Sequence, residues 1–407
     1  MMFIQFFVWG AWYVTVGNYM TASGMSSEAI GGAYSVGPIA AIISPFFLGM
    51  IADRFFATEK ILGVLHILGG IAIFCSPMAV GEGNGYPYLF LGLLLAHMLC
   101  YMPTLGLINS LSFHNMTDQE KQFPLIRVFG TIGWIVANIV VSKILKADEK
   151  ALPLQIAGGS AIVMGLYSFT LPHTPPPAKG KPFSVRDVLG LDSLVLLKDL
   201  SFTVFIVSSF LICIPLSAYY AFAPVFVKAS GFSDPAYNMS FGQMSEVFFM
   251  IVMPFFFRAL GVKWMLIVGM LAWVTRYGLF AVGAPDSIRW MIVGGILLHG
   301  ICYDFFFVTG QIYVDKKAHV SIRGQAQGFL VLITLGVGMF IGAQLSGILN
   351  ARIVTEGGLE ALVQWRDFWA IPCIGAGVIM VIFALLFKYD PKRENSSADK
   401  SSPTGSA

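Results

Sequence analysis

Long apolar runs alternate with short polar stretches along the chain. Dividing it at the charge clusters and at the proline and glycine residues between runs gives twelve apolar segments. Their approximate limits are 2–22, 29–52, 60–80, 87–113, 122–145, 152–171, 201–227, 238–257, 262–283, 288–313, 322–350 and 367–388. A helix needs about 20 apolar residues to cross the hydrocarbon core of a bilayer. The pattern therefore predicts an all-α membrane protein with twelve transmembrane helices, which are called segments 1 to 12.

The longest polar stretch runs from Pro172 to Asp199 and separates the first six segments from the last six. It contains three consecutive prolines, which favour an extended conformation over a helix. Two halves of six helices are typical of transporters that rock about a site near the bilayer midplane. The predicted divisions are an N-terminal six-helix half, a cytoplasmic linker, a C-terminal six-helix half and a disordered cytoplasmic tail, over residues 1–171, 172–200, 201–388 and 389–407.

The composition supports the membrane assignment. Of the 407 residues, 57% are hydrophobic and only 12% are charged, so lipid must cover much of the surface. The net charge is +3 and the basic residues are scattered, which excludes the dense basic face of a nucleic-acid-binding protein. All five cysteines lie in apolar runs without a CxxC spacing, so we expect core residues and neither disulfides nor a zinc site.

The distribution of lysine and arginine predicts the orientation. The loops on one side of the predicted membrane, with the linker and tail, carry sixteen of these residues, the loops on the other side carry seven, and two arginines lie within segments. Cytoplasmic loops carry the excess of positive charge. We therefore expect the linker and both termini to be cytoplasmic.

The loop between segments 2 and 3 carries a motif, Gly49-Met50-Ile51-Ala52-Asp53-Arg54. It resembles the G-x-x-x-D-R motif of the major facilitator superfamily, and together with the six-plus-six layout it indicates the major facilitator fold. We expect Asp53 and Arg54 to act in gating, where they would set the conformational equilibrium without touching substrate. The alternative is a charged loop that only follows the positive-inside rule.

Polar residues share single helix faces in segments 5 and 8. Arg127, Thr131 and Trp134 are spaced i, i+4 and i+7, and Gln243 and Glu246 are spaced i and i+3. Segments 5 and 8 face each other across the two halves in the major facilitator plan. We therefore expect Arg127 and Glu246 to pair across a central cavity, with a static structural ion pair as the alternative.

Segment 10 carries His299 and Tyr303 one turn apart, and Asp304 lies about 100° round the helix from Tyr303. Asp304 is therefore expected to face a neighbouring helix. It would either act in transport or pair with a basic group such as Arg276 of segment 9. Arg276 itself is expected near a helix end, where it would snorkel or pair structurally. Trp9 of segment 1 either lines the cavity or belongs to packing or an interfacial aromatic belt.

These side chains favour a neutral, flat ligand with several hydroxyl groups. Aromatic faces stack on a base, while amides and carboxylates bind ribose hydroxyls. Segment 7 adds Ser217 and Tyr220 after Pro215, whose kink suits a gating helix. A sugar or another small polyol fits the same set, so a carrier of such a solute is the alternative to a nucleoside carrier.

The chain also resembles the nucleoside:proton symporter family of the major facilitator superfamily over essentially all of its segments. The stretches that carry the resemblance are Tyr101–Ser110, Phe123–Trp134, Leu189–Asp192, Gln243–Glu246 and Tyr303–Phe306. It implies nucleoside uptake across the bacterial inner membrane, driven by the proton gradient. It also implies site roles for the matching residues, which are Arg127, Thr131, Gln243, Glu246, Tyr303 and Asp304.

Two departures from the family pattern bear on selectivity. Ser217 and Tyr220 stand where characterised nucleoside permeases have glutamine and asparagine, and His299 stands where they have tyrosine. We therefore expect the selectivity for base or sugar to differ. The complete predicted substrate site consists of Arg127, Thr131, Trp134, Ser217, Tyr220, Gln243, Glu246, His299, Tyr303 and Asp304.

For proton coupling the choice lies between Glu246 and Asp304. Rocking of the halves would separate Glu246 from Arg127, so we predict Glu246 as the proton carrier and Asp304 as the alternative. The sequence has no nucleophile–base pair, metal-ligand cluster or Gly-rich phosphate loop. We therefore predict no enzyme activity, no cofactor and no metal. The expected partners are nucleoside, protons and membrane lipid, and a monomer is expected because each chain contains both halves.

Overall fold

The computed structural model of the protein describes residues 1–47, 55–80, 88–176 and 184–389. Every regular element in these residues is helical, which confirms the predicted all-α fold. The predicted gating residues Asp53 and Arg54, part of the linker and almost all of the predicted tail lie outside the described residues.

In the N-terminal half, helices occupy the apolar runs of the sequence. Their bounds are Met2–Tyr13, Val16–Ala22, Ser27–Phe47, Thr58–Cys75, Tyr88–His114, Gln119–Asn138 and Leu152–Ser168. Segment 3 ends in a 3-10 turn, Ser76–Ala79, and segment 5 ends in a π-helical turn, Ile139–Ile144. The helices of the N-terminal half have a continuous apolar character, which suits helices that are surrounded by lipid and by other helices.

In the C-terminal half, segments 10 and 11 are built from several helical pieces. The α-helices are Leu200–Ala229, Pro235–Gly283, Arg289–Leu297, His299–Tyr303, Thr309–Lys317, Arg323–Val331, Met339–Ile353 and Gly358–Leu386. π-Helical turns, Asp304–Val308 and Leu332–Gly338, lie within segments 10 and 11. Such turns often mark functional sites in helices. The linker forms a short helix, Val185–Val188, and a 3-10 helix, Leu191–Lys198.

Nine helices in the described residues are long and apolar enough to cross a membrane. Segment 1 is divided into two short helices, and the helix of segment 6 has 17 residues. The 49-residue helix Pro235–Gly283 covers segments 8 and 9, and its backbone leaves the helical conformation at Gly261, where φ is +67°. Glycine tolerates this left-handed region without the penalty of a Cβ atom. The count of twelve membrane crossings stays a prediction.

The two halves approach each other closely at one end, which we call the latched end. It carries the loops between segments 1 and 2, 5 and 6, 7 and 8, and 11 and 12. A Cβ atom at Gly31 would lie 2.6 Å from the carbonyl oxygen of Ala343, so glycine permits this crossing of segments 2 and 11. Beside it, Ser27 donates a 2.8 Å hydrogen bond to Asn350.

Charged groups reinforce the latched end. Asp234, whose side chain is 4% exposed, accepts hydrogen bonds from Lys143 at 3.1 Å and from Lys146. Burial favours a higher pKa for Asp234, but the two lysines outweigh it and hold the pKa below its usual value. Asp148 joins the halves a second time, because it accepts from the backbone N–H of Ala236 at 3.0 Å.

Candidate substrate-binding site

A cavity of about 420 Å³ lies between the two halves. This volume is in the range of pockets that bind small molecules. Eight of the ten predicted site residues line it, namely Arg127, Thr131, Trp134, Tyr220, Gln243, Glu246, His299 and Tyr303. The lining also includes Ser44 and Pro45 of segment 2 and Val331 and Leu335 of segment 11, so the cavity extends away from the latched end.

Segments 1 and 5 build the aromatic wall of the cavity. A Cβ atom at Gly10 would lie 2.9 Å from the backbone of Trp134, so glycine lets the two helices pack closely. The ring of Trp134 then lies edge-on to Trp9, with 5.5 Å between ring centroids. The guanidinium of Arg127 lies 4.2 Å from the ring centroid of Phe6, which favours a cation–π contact.

Segments 8 and 10 build the polar wall. A Cβ atom at Gly300 would lie 2.5 Å from the carbonyl oxygen of Ser245, so the two backbones are close at this point. Glu246 and His299 therefore face each other, with 3.9 Å between Oε2 and Nε2. This distance is too long for a direct hydrogen bond. The Oε1 atom of Gln243 is buried and has no partner among the described residues.

Asp304 lies outside the cavity lining, in agreement with its predicted offset from Tyr303. It is fully buried, and a π-helical turn begins at this residue. Within the described part of the chain, neither of its carboxyl oxygens has a hydrogen-bond partner. An unpaired charge in such surroundings would cost several kcal/mol, which distinguishes Asp304 from the paired carboxylates of the latched end.

The structure corrects three expectations. Ser217 is absent from the cavity lining, because its hydroxyl donates to the carbonyl of Met339 at 3.2 Å. Arg276 is fully buried, so it does not snorkel, and it contacts His299 instead of Asp304. Both Arg127 and Glu246 line the cavity, but in this conformation they form no ion pair with each other among the described residues.

Sequence reasoning missed two aromatic residues of the lining and left a third open. Phe6, Trp9 and Tyr13 all line the cavity. They are spaced i, i+3 and i+7, which places them on one helix face. This spacing was the available signal. It was obscured because segment 1 is apolar over most of its surface, so its pattern does not distinguish a cavity from a packing face.

No group of three histidine, cysteine, aspartate or glutamate side chains in the described ranges is arranged to hold a metal ion. The five cysteines are unpaired thiols, and Cys213 and Cys302 are buried. The chemistry of the cavity is therefore that of aromatic faces, amides, an imidazole, a guanidinium and a carboxyl group.

Comparison with known proteins gives matches over almost the whole chain. The family model described as "Nucleoside H+ symporter" matches residues 1–392. The "Putative nucleoside transporter YegT" of Escherichia coli (strain K12) is 39% identical over 398 residues, which is 95% of this chain and 92% of that protein. The xanthosine permease of the same strain is 32% identical over 97% of this chain and 96% of that protein.

A solved structure has the same architecture. The crystal structure of the nucleoside transporter NupG matches with a TM-score of 0.85 and 29% identity, over 96% of this chain and 98% of that chain. A bacterial homologue of the human lysosomal transporter Spinster matches with a TM-score of 0.74 and 14% identity, over 96% of both chains. The second likeness concerns the fold alone, and both agree with the predicted major facilitator fold.

Proposed function

The chain belongs to the nucleoside H+ symporter family, and on that premise we propose that it imports nucleosides together with protons across the bacterial inner membrane. It is a transporter and not an enzyme. Membership of this family also supports a multi-pass protein of the cell membrane.

One observation carries the proposal, which is the composition of the cavity. Trp9 and Trp134 offer aromatic surfaces on one side, while Gln243, Glu246 and His299 offer hydrogen-bonding groups on the other. A nucleobase stacks on aromatic rings, and the hydroxyls of its sugar need donors and acceptors. The two halves supply complementary walls, so rocking of one half against the other would change access to the ligand.

The structure supports an inward-facing state for this proposed carrier. The latched end holds the two halves together through Asp234, Lys143 and Lys146. The cavity extends toward the opposite end, which is the side of the linker and of the other loops that together carry the sixteen predicted cytoplasmic lysine and arginine residues. We assign this open end to the cytoplasm, with both termini and the linker on that side.

For proton coupling we assign the carrier role to Glu246 and keep Asp304 as the second candidate. The side chain of Glu246 is 17% exposed, so it can exchange a proton through the cavity. It also lies on the same lining as Arg127, and movement of the halves would change their separation. Asp304 is fully buried and would exchange a proton only after a larger rearrangement.

Two further proposals rest on the sequence, one on gating and one on the oligomeric state. Asp53 and Arg54 are proposed to set the balance between inward and outward states. Asp53→Asn should therefore slow transport and leave the affinity in detergent within a few-fold, and complete loss of binding would contradict this role. We also propose that the transporter works as a monomer in lipid, since one chain supplies both walls of the cavity.

Counterflow in proteoliposomes tests the substrate class. Vesicles loaded with unlabelled uridine, adenosine or xanthosine should draw in labelled nucleoside, and hexoses should not compete. Competition by hexoses or polyols without competition by nucleosides would replace the proposal with a carrier of polyhydroxylated solutes.

A second experiment tests the proton carrier. Glu246→Gln mimics the protonated acid, so it should abolish uphill accumulation and allow downhill exchange. Glu360→Gln is the matched control, because the same change is made at an exposed position. If Glu246→Gln accumulates nucleoside against a gradient while Asp304→Asn does not, the roles are reversed.

A further inference from the structure

Arg276 is a buried cation that the proposed transport mechanism does not use. Its side chain is fully buried in segment 9, and in the described part of the chain it forms no ion pair with a carboxylate. Its Nε–H donates to the carbonyl oxygen of Gly295 at 3.1 Å, and its guanidinium lies 4.0 Å from the ring centroid of Tyr219. A charged group at bilayer depth is costly and usually serves a function.

A third contact of Arg276 fixes the tautomer of the His299 ring. The Nη2 atom of Arg276 lies 3.2 Å from Nδ1 of His299. Arginine has only donors, so Nδ1 must be the acceptor in this bond. In a neutral imidazole the proton then resides on Nε2, since the partner of one ring nitrogen fixes the tautomer. The His299 ring also stacks on Tyr219, with an 18° angle between ring planes, which limits its rotation.

The proton on Nε2 of His299 is therefore directed into the cavity, beside the carboxylate of Glu246. Nε2 of His299 lies 3.9 Å from Oε2 of Glu246. This gap is too wide for a direct hydrogen bond, but one oxygen atom can lie about 2.8 Å from both atoms. A hydroxyl group satisfies both, because it accepts from Nε2–H and donates to the carboxylate. A carbonyl group of a nucleobase can only accept, so it satisfies one of the two.

We propose that Arg276 is a positioning residue that fixes His299 with Nε2–H toward the cavity, so that His299 and Glu246 together bind one hydroxyl of the ribose. The inference rests on the proposed nucleoside transport. It adds which part of the substrate His299 and Glu246 recognise. Ribonucleosides are then preferred over analogues that lack the hydroxyl.

Competition against labelled uridine in purified protein tests the hydroxyl preference. Uridine should compete at least about tenfold better than one of the three analogues 2′-deoxyuridine, 3′-deoxyuridine and 5′-deoxyuridine, which is the effect of one lost hydrogen bond to a charged group. Arg276→Met, which keeps an apolar chain without donors, should lose most of this preference. An unchanged preference in Arg276→Met, or none in the unaltered protein, would overturn the inference.

Tyr277→Phe is the matched control for a lost buried hydrogen bond in the same helix. Its hydroxyl donates to the carbonyl of Pro215 at 2.8 Å, and Tyr277 neither lines the cavity nor bonds to His299, so the preference should remain. If the unaltered protein binds no nucleoside at all, the proposed function fails together with the inference. If it binds nucleosides and Arg276→Met keeps the preference, only the inference fails.

A double-mutant comparison separates positioning from simple structural support. The side-chain amide of His299→Gln places an N–H near the position of Nε2 without needing a partner for Nδ1. Arg276→Met should therefore change the hydroxyl preference much less in the His299→Gln background than in the unaltered protein. Equal effects in both backgrounds would mean that Arg276 does not act through His299.

The tautomer can also be read without any change to Arg276. In ¹⁵N spectra of the histidine rings, the signals that disappear in His299→Gln belong to His299. They should report a protonated Nε2 and an unprotonated Nδ1. A protonated Nδ1 would overturn the inference even if Arg276→Met failed to fold.

Discussion

Two clusters of buried polar residues, one in each half, differ in how completely their hydrogen bonds are satisfied. In the N-terminal half, Gln5 donates to Thr104 at 2.7 Å, contacts Nε2 of His66 at 2.7 Å and accepts on its backbone carbonyl from Tyr101. In the C-terminal half, the second cluster consists of Gln243 and Asp304. The Oε1 atom of Gln243 and both carboxyl oxygens of Asp304 have no partner within the described residues. These polar groups are buried in both clusters, so burial alone does not distinguish them.

The difference separates structural support from candidate transport chemistry. The polar groups of the first cluster bind mainly to one another, and their bonds hold segments 1, 3 and 4 in one arrangement. Groups that lack partners, such as the Oε1 atom of Gln243 and the carboxyl of Asp304, remain available to a ligand or a proton. Changes in the first cluster should therefore affect stability, and changes in the second should affect transport.

Between the two clusters, the largest effect is expected for Asp304, which is the second candidate for proton coupling after Glu246. Asp304→Asn keeps the size of the side chain but cannot exchange a proton. If Asp304 takes part in coupling, uphill nucleoside accumulation should fall by at least about tenfold, while counterflow persists. Imposed pH gradients across proteoliposomes measure this. Asp286→Asn at an exposed loop is the control. Normal accumulation by Asp304→Asn would assign the unsatisfied carboxyl a structural role and weaken the comparison.

Gln5→Leu tests the satisfied cluster. It leaves Nε2 of His66 without a partner and removes the bond that Thr104 accepts, although the Thr104 hydroxyl still donates to Tyr101. This loss should lower the free energy of unfolding by about 1–3 kcal/mol. Thermal unfolding in detergent should show the loss, while uridine affinity stays within about twofold. Gln311→Leu, the same change at an exposed position, should alter neither quantity. A Gln5 variant with normal stability and weakened binding would reverse the roles of the two clusters.

Gln243→Ala tests whether the free amide of the unsatisfied cluster binds substrate. Loss of a neutral hydrogen bond costs about 0.5–1.5 kcal/mol, so nucleoside affinity should fall about two- to tenfold. Equilibrium binding with labelled uridine measures this, with Gln311→Ala as the control at an exposed position. If Gln243→Ala binds uridine as tightly as the unaltered protein, the amide of Gln243 does not contact the ligand.

The smallest effect is expected at the latched end, whose carboxylates are paired. Lys143 and Lys146 are about half exposed, so their pairs with Asp234 are worth at most about 1 kcal/mol each. Asp234→Asn should therefore raise the population open at the latched end only a few-fold. Distances between spin labels at positions 150 and 286 measure it.

The pH dependence of that effect has a definite sign. The pKa of Asp234 is lowered in the latched state because the two lysines outweigh the effect of burial. Its stabilising contribution is therefore complete above the usual aspartate pKa of about 3.9 and is lost only as the pH falls through the lowered value. The difference between Asp234→Asn and the unaltered protein should stay constant from about pH 8 to 5. A transition near pH 6 would point to another group.

The fold and most of the residues that line the candidate site could be predicted from the sequence. The apolar runs placed the helices, and the spacing of Arg127, Thr131 and Trp134 placed three side chains on one face of the cavity. Helical periodicity carries this information because it fixes which residues of one helix lie together. It does not fix how a helix is rotated against its neighbours, which is why Ser217 was placed in the cavity although it bonds to Met339.

By itself, the sequence determined the membrane class, the positions of the apolar helices and the family, because each follows from local composition, periodicity or a contiguous motif. Only the tertiary structure decided the partners of the buried charges. Arg276 meets His299 and not Asp304, since close packing at Gly300 and the π-helical turn at Asp304 set the rotation of segment 10. Contacts between helices depend on backbone approach to within a few tenths of an ångström, and residue spacing along one helix does not record that distance.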